Sequence, residues 1–383
     1  LNSNGTAILV DLFVYGTLRH VPLLELILGR TGPNLDVREA HLPGHGAFAV
    51  VDQPFPAIEE REGHRAPGLL LRGLSQDDMD ALNFYEGGFD YTLRRMDVTL
   101  QDGTVCPADV YFPEPGLWPT GDVWDLAQWQ DKWGALSLRA AEEVMAYRGR
   151  LTAAEVAERF RPIRIRAAAW LAAQDRPADP DHDLSRDVVV HAHKRAYVNF
   201  FAMEEMDLQF RRYDGSLSPV VNRGAALVGQ ASVVLPYDPR RDAVLLIEQF
   251  RAATYIAGCR TPWMWEPVAG LIDPGETAEQ AAHREAQEEA GLSLTSLETV
   301  TRAYPSSGAS GEFLHIFVGI CDLDTVGEGG GLDSENEDIR SQILSFDALM
   351  EGIDAQIYQD MPLVTAALWL ARHRDRLRRA QTM

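Results

Sequence analysis

The sequence predicts an α/β protein of two domains joined by a helical connector. Three observations carry that reading. The chain has 383 residues, more than one hydrophobic core usually serves. Both ends read as strands broken by Gly and Pro, whereas 122–175 is rich in Ala, Leu, Glu, Arg and Trp at helical spacing. A polar, Pro-rich stretch at 175–187 then marks a linker. The expected divisions are 1–120, 121–187 and 188–383.

Along the chain, 7–15 (AILVDLFVY) suits a buried strand. Gly16-Thr17-Leu18 breaks it, and VPLLELIL (21–28) suits a short helix. Gly and Pro recur across 43–73 and predict short strands. PEPGLWPTGD (113–122) ends the first unit. In the connector Trp124, Leu126, Trp129, Trp133, Leu136, Leu138, Ala141 and Val144 keep helical spacing. Thr152 with Glu155 forms a capping-box pattern. Farther on, 188–215 predicts two strands closing at Asp214-Gly215, and 232–250 a hairpin turning at DPRRD. A helix is expected at 277–290, a strand at 313–320 and a long amphipathic helix at 355–379. GEGGG (327–331) predicts a flexible loop.

Charge narrows the function. Lys and Arg total 35 against 57 Asp and Glu, a net charge of -22. Such a surface repels nucleic-acid phosphates and anionic lipid, so neither partner is expected. A small phosphorylated substrate stays compatible, because divalent cations bridge carboxylates to phosphates. Cys106, Cys259 and Cys321 form no metal pattern and read as reduced thiols. With no leader pattern and no apolar run long enough to span a bilayer, a cytoplasmic location is expected.

The most informative stretch is GLIDPGETAEQAAHREAQEEAGL, 270–292. Thr277 and Gln280 can cap a helix start, and Gly291 sits where a left-handed cap residue belongs. Glu285, Glu288 and Glu289 then share one helix face. Crowded carboxylates repel unless a cation sits among them, and hard oxygen ligands suit Mg²⁺ or Mn²⁺. Arg284 could tie down a further carboxylate, Glu276. The alternative is a solvated acidic face. Against it, the pattern G-x5-E-x7-R-E-U-x-E-E-x-G-U (U, an apolar residue) has a chance frequency of about 10⁻⁸ per window at average residue usage.

That pattern is the Nudix box, and the chain resembles Nudix hydrolases, which cleave nucleoside diphosphates linked to another group. VVLPYDPRRDAVLLIEQFR, WMWEPVAGLIDPGE and GLDSENEDI extend the likeness over 189–383 to the ADP-ribose pyrophosphatases, a branch that includes the tellurite-resistance type. The resemblance implies an α/β/α sandwich. It implies metal at the Ala269 carbonyl, Glu285, Glu289 and Glu337, with Gly270, Glu276, Arg284 and Glu288 supporting the box. It maps the general base to Glu335 and the substrate arginines to Arg223 and Arg251. It also implies a homodimer that exchanges N-terminal strands. One departure weakens the preference for ADP-ribose: Tyr304-Pro305-Ser306-Ser307-Gly308 has serine where the branch has proline. A broader sugar-nucleotide pyrophosphatase and an ADP-ribose-binding sensor are the alternatives.

In the first domain, Val14-Tyr15-Gly16-Thr17-Leu18-Arg19 follows a strand, and Leu82-Asn83-Phe84-Tyr85-Glu86-Gly87 precedes Tyr91 and Arg94. The pair resembles the γ-glutamylcyclotransferase-like, or AIG2-like, fold over 9–115. That implies a small β-barrel with helices, a substrate turn at Tyr15, Gly16, Thr17 and Leu18, and Glu86 as the base. The alternative is that Glu86 bonds the turn and the domain is an interaction module. Arg19, Arg94 and Arg95 are the expected carboxylate partners. Among other residues, His191 and His193 read as a solvent-facing pair rather than metal ligands. Trp263 and Trp265 could line the pocket near the box.

Overall fold

Apolar alternation, rather than the Gly and Pro between apolar residues, governs the first barrel. A computed structural model describes residues 9–87, 91–326, 330–331 and 338–380. Its contacts separate two units, residues 1–167 and 168–383.

The first unit runs β1 (Val10–Val14), α1 (Val21–Leu28), β2 (Asp36–Val50), β3 (Pro56–Leu74), α2 (Gln76–Glu86), β4 (Tyr91–Leu100), β5 (Val105–Pro113) and β6 (Thr120–Val123). Strands pair in the order β3-β1-β5-β4-β2, and β2 pairs back onto β3, closing a five-stranded barrel. β6 extends the sheet from β2. The short strands expected across 43–73 are instead two long ones, of 15 and 19 residues. Gly44, at φ +69°, takes up a bulge between Pro43 and His45, so the strand bends rather than stops. Phe13, Leu42, Val98 and Val110 fill the interior. Gly68 makes room for them, since a Cβ there would lie 2.2 Å from the Phe13 ring.

Four helices follow: α3 (Leu126–Trp129), α4 (Ala135–Met145), α5 (Ala153–Ala157) and α6 (Phe160–Gln174). Trp129 and Ala141 share a core with Leu12, Leu23, Leu71 and Leu82. Residues 121–167, expected to belong to a connector, are therefore packed into the first unit. The Trp and Leu stripe packs on that core. The Thr152–Glu155 capping box is formed.

In the second unit α6 is followed by α7 (Leu184–Asp187). The strands β7 (Val188–Val198), β8 (Ala202–Phe210) and β9 (Val221–Leu227) make a separate antiparallel sheet. Then come β10 (Gln230–Asp238), β11 (Ala243–Phe250), α8 (Ala252–Ile256), β12 (Trp263–Glu266), β13 (Val268–Leu271), α9 (Ala278–Ala290), β14 (Leu294–Ala303), β15 (Phe313–Cys321), β16 (Arg340–Ser345), α10 (Phe346–Asp354) and α11 (Met361–Ala380). The mixed sheet has β10 parallel to β15, and its other pairings are antiparallel.

Side chains of the central strands alternate between two cores. Val233, Leu235, Val244 and Leu246 pack with Leu349, Leu363 and Leu370 of α10 and α11. Val234, Leu245 and Ile247 pack with Ala278, Ala282, Ala286 and Ala290 of α9. This is an α/β/α sandwich. The helix expected at 355–379 starts only at Met361. Pro362 is tolerated in a first turn, and Asp360 Oδ2 accepts from the Leu363 amide at 2.8 Å. No helix of the described residues is long and apolar enough to cross a membrane.

Candidate functional site

The box helix α9 is held at both ends as its sequence predicts. Thr277 and Gln280 form a reciprocal capping box, and Gly291 closes the helix at φ +60°. Its buried face is almost all alanine, which brings its backbone close to the sheet. Glu289 is only 2% exposed, and its Oε2 accepts from the Ala269 amide at 3.0 Å. Glu285 reaches the next residue: a Cβ on Gly270 would lie 1.8 Å from its Oε1. Gly270 thus leaves the space that this carboxylate occupies.

Arg284 organises the remaining charges. It donates to both oxygens of Glu276 at 2.9 Å, to Glu285 Oε1 at 2.6 Å, to Glu288 Oε2 at 3.0 Å and to the Leu271 carbonyl at 3.0 Å. Its hydrogen bond with Glu276 leads the causes that hold the guanidinium far above its ordinary pKa. Among the described residues no three His, Cys, Asp or Glu converge as a ready-made metal cage. The donors present nonetheless fit a hard divalent cation, because all are oxygens and Glu285 and Glu289 meet one strand at Ala269 and Gly270. Glu335 and Glu337 lie outside the described residues.

The chain on either side of that acidic segment is anchored beside the box. Gly330 bridges to Ile339, and the Gly331 amide donates to the Glu288 carbonyl at 3.2 Å. A Cβ on Gly330 would lie 1.6 Å from the Glu289 carbonyl oxygen. Of the expected flexible loop, Gly330 is therefore tightly packed and Gly331 is tied to α9 by one hydrogen bond. Residues 327–329 lie outside the described ones.

The two arginines assigned to substrate differ. Arg251 is clamped by Glu266, with Nη2 to Oε2 at 2.6 Å and Nε to both oxygens at 3.1 and 2.8 Å. Burial opposes its charge, but Glu266, Glu289 and Asp360 outweigh it and raise its pKa. Asp360 is itself pushed up to about 6, by burial first and then by Glu266 and Glu312, against the Leu363 amide and Arg251. The sequence reading missed this group, because its members are far apart in the chain. Arg223 is exposed on β9 and donates to the Asn222 carbonyl. Among the described residues no hydrogen bond joins it to the box. Trp263 is 61% exposed, beside Phe250 at 5.2 Å. His191 bonds Gln209 and His193 bonds Glu204, so each ring has its own partner.

In the first unit Tyr15, Gly16, Thr17 and Leu18 line a cavity of about 90 Å³ together with Glu86. One water needs only about 10–15 Å³. Tyr85, Tyr91 and Tyr111 surround the carboxylate, and Tyr111 Oη donates to Asn83 Oδ1 at 2.6 Å. Burial pushes Glu86 up to about 7. Burial first, then the Glu86 charge, raises Tyr91 and Tyr111. None of the expected carboxylate partners lines this space. Arg94 lines a different pocket and lies 4.8 Å over the Phe112 ring, Arg95 pairs with Asp109 at 3.2 Å, and Arg19 is absent from the cavity wall. Arg164 of α6 lines it instead. The sequence carried no signal for it, because it follows the likeness by some fifty residues.

Two family models match the chain, one within each unit. A family model described as the NUDIX domain matches residues 228–362, and one described as gamma-glutamyl cyclotransferase, AIG2-like, matches 12–131. The ADP-ribose pyrophosphatase of Escherichia coli is 38% identical over 192 residues, covering 50% of this chain and 91% of that protein. That of Haemophilus influenzae is 34% identical over 165 residues, 43% of this chain and 76% of that protein. The GDP-mannose pyrophosphatase of Cronobacter sakazakii is 30% identical over 171 residues, 43% of this chain and 85% of that protein.

Proposed function

The chain belongs to the Nudix hydrolase family and carries an N-terminal AIG2-like domain, and from that premise we propose that its second unit hydrolyses the diphosphate of ADP-ribose to AMP and ribose 5-phosphate. The observation that carries this reading is the meeting of Glu285 and Glu289 with Ala269 and Gly270. Divalent cations held by the Ala269 carbonyl, Glu285, Glu289 and Glu337 would neutralise the diphosphate and acidify a water. Arg284 keeps Glu276, Glu285 and Glu288 in register. Arg251, preset by Glu266, offers a guanidinium edge to a phosphate oxygen. Glu335 takes the proton of the water that attacks one phosphorus, as the bridging P–O bond breaks.

A wider sugar-nucleotide specificity is the competing reading, favoured by Ser307. That residue lies in a turn closed by the Ser306 carbonyl, which accepts from Ala309 and Ser310 at 3.1 and 2.9 Å. A panel of ADP-ribose, GDP-mannose and other sugar nucleotides, assayed with Mg²⁺ and with Mn²⁺, decides between them. ADP-ribose should lead in kcat/KM. Equal rates across the panel would favour the broad enzyme, and binding without turnover would favour a sensor. We assign the protein to the cytoplasm, which suits its three free thiols. We assign it a homodimer through the β7–β9 sheet, where Tyr197, Phe200, Phe201 and Phe210 are 43–52% exposed. Sedimentation should show twice the chain mass.

For the first unit we propose γ-glutamyl cyclotransfer, because the Glu86 carboxyl is poised near neutrality in a cavity. Glu86 takes a proton from the substrate α-amine, whose nitrogen attacks its own γ-carbonyl carbon. The amide C–N bond breaks, the leaving amine receives the proton, and 5-oxoproline forms. Release of 5-oxoproline by the full chain and its loss in Glu86→Gln test this. No product from any γ-glutamyl compound would leave the interaction-module reading.

A further inference from the structure

A second pocket, of about 430 Å³, opens on the first barrel, a size that suits a small organic molecule. No residue lines both this pocket and the Glu86 cavity. Trp118 in its wall lies 5.1 and 5.8 Å from the Phe55 and Tyr91 rings of that cavity. Strand register builds the polar lining. His45 and Glu60 are directly opposed across β2 and β3, so their side chains stand side by side. Arg94 is opposite Val110 across β4 and β5, which makes Phe112 its diagonal neighbour. Its guanidinium lies 4.8 Å over that ring.

His45 is only 8% exposed. Beside the bulge at Gly44, its Nδ1 lies 2.9 Å from the Pro43 carbonyl oxygen. A carbonyl only accepts, so Nδ1 carries the proton and Nε2 of the neutral ring is an acceptor. Among the described residues Nε2 has no partner, and the ring stands 5.5 Å from Phe112 in the pocket wall. A buried acceptor of this kind calls for a donor. Among the described residues Arg94 pairs with no carboxylate, and neither Glu60 nor Glu114 pairs with a cation. Glu59 differs, because Arg61 at 3.1 Å and the Thr120 hydroxyl hold it.

The lining thus sets an acceptor beside a carboxylate, and a guanidinium, against one phenylalanine ring. A plain anion would meet three carboxylates for one arginine. A plain amine would leave Arg94 unanswered. A molecule with an ammonium and a carboxylate one carbon apart satisfies both, and Phe112, Leu117 and Trp118 offer its remainder an apolar wall. We propose that this pocket binds a zwitterionic α-amino acid with a large apolar side chain, its ammonium at His45 Nε2 and Glu60 and its carboxylate at Arg94. The site does not depend on the chemistry at Glu86.

Calorimetric titration of the full chain with phenylalanine, phenethylamine and phenylpropionate tests this, since each analogue lacks one of the two charges. Phenylalanine should bind at one site per chain. Each analogue should bind about 10- to 100-fold more weakly, the usual loss for one hydrogen-bonded charged contact. Arg94→Met should weaken phenylalanine to the level of phenethylamine, and Glu60→Gln should narrow its lead over phenylpropionate. Both residues are exposed on strands, and thermal unfolding shows whether each variant is folded. Should a variant not fold, the analogue series on wild type decides. No saturable binding of phenylalanine, or an analogue that binds as tightly, would overturn the proposal. Undiminished binding in folded Arg94→Met and Glu60→Gln would place the ligand elsewhere and overturn it as well.

Discussion

Glu86 in the barrel and Glu285 on the box helix are the same side chain held in opposite fields. Burial pushes the Glu86 carboxyl up to about 7. Glu285 instead accepts from Arg284 at 2.6 Å and sits among neighbours that Arg284 also holds. At Glu86 the charge is poorly solvated, which favours the protonated carboxyl. The box carboxylates instead share the guanidinium of Arg284. The cavity of the first unit is walled by its own described side chains. In the second unit the described residues on either side of the acidic segment, Gly331 and Ile339, meet α9.

The sharpest way to break this contrast is at Glu289. Glu289→Gln should lower diphosphate hydrolysis by about 100- to 1000-fold, the usual effect of deleting one preorganised charge-stabilising group. Wild-type turnover at saturating Mg²⁺ would dissolve the metal assignment. Arg284→Met comes next. It leaves Glu276, Glu285 and Glu288 without their shared donor, and a loss of about 10- to 100-fold is expected from disturbing such supporting bonds. A titration of rate against Mg²⁺ should show weaker metal affinity. Arg284→Lys should recover little, because one ammonium cannot span four acceptors.

The barrel site predicts the opposite response to charge removal. The Glu86 carboxyl is raised from an ordinary 4.5 to about 7. Below pH 4.5 folded and unfolded chains both hold the proton. Between 4.5 and 7 the unfolded chain loses it first, so Glu86 destabilises the fold increasingly as pH rises, and the penalty is complete above 7. Glu86→Gln should therefore stabilise the first unit by about 1–3 kcal/mol at pH 8 and by almost nothing at pH 4. Denaturant unfolding at the two pH values reads this. A gain that is the same at both would contradict a raised pKa. The smallest effect is expected at Gly291, where Gly291→Ala forces a side chain into φ +60° and should cost about 1 kcal/mol. Thermal unfolding should shift while KM for substrate stays close to wild type.

The same contrast governs what the sequence made legible. The box helix was readable because cap, apolar face and carboxylates all lie within 23 consecutive residues. Its ion pair between Arg284 and Glu276 follows from helix geometry once a turn precedes the helix. The clamp of Glu266 on Arg251, and Asp360 and Glu312 beside it, depend on pairing of β11 with β12 and on where α11 starts, which no local pattern encodes. The barrel strands across 43–73 were misjudged as short, because a bulge at Gly44 looks in sequence like a chain break. Arg164 was invisible, since only the packing of α6 in the first unit carries it to Glu86. The helical spacing of the Trp and Leu stripe was legible, but not the unit whose core it joins.

We propose Glu285 and Glu289 as the metal-binding face of a diphosphate hydrolase acting on ADP-ribose. This is tested most directly by following AMP release from ADP-ribose in Mg²⁺ with wild type and Glu289→Gln at matched thermal stability. Wild type should form AMP and ribose 5-phosphate rapidly and only with Mg²⁺, and the variant should be slower by about two to three orders of magnitude. Equal AMP release by the two proteins, or release from wild type that is indifferent to chelation of the metal, would contradict it.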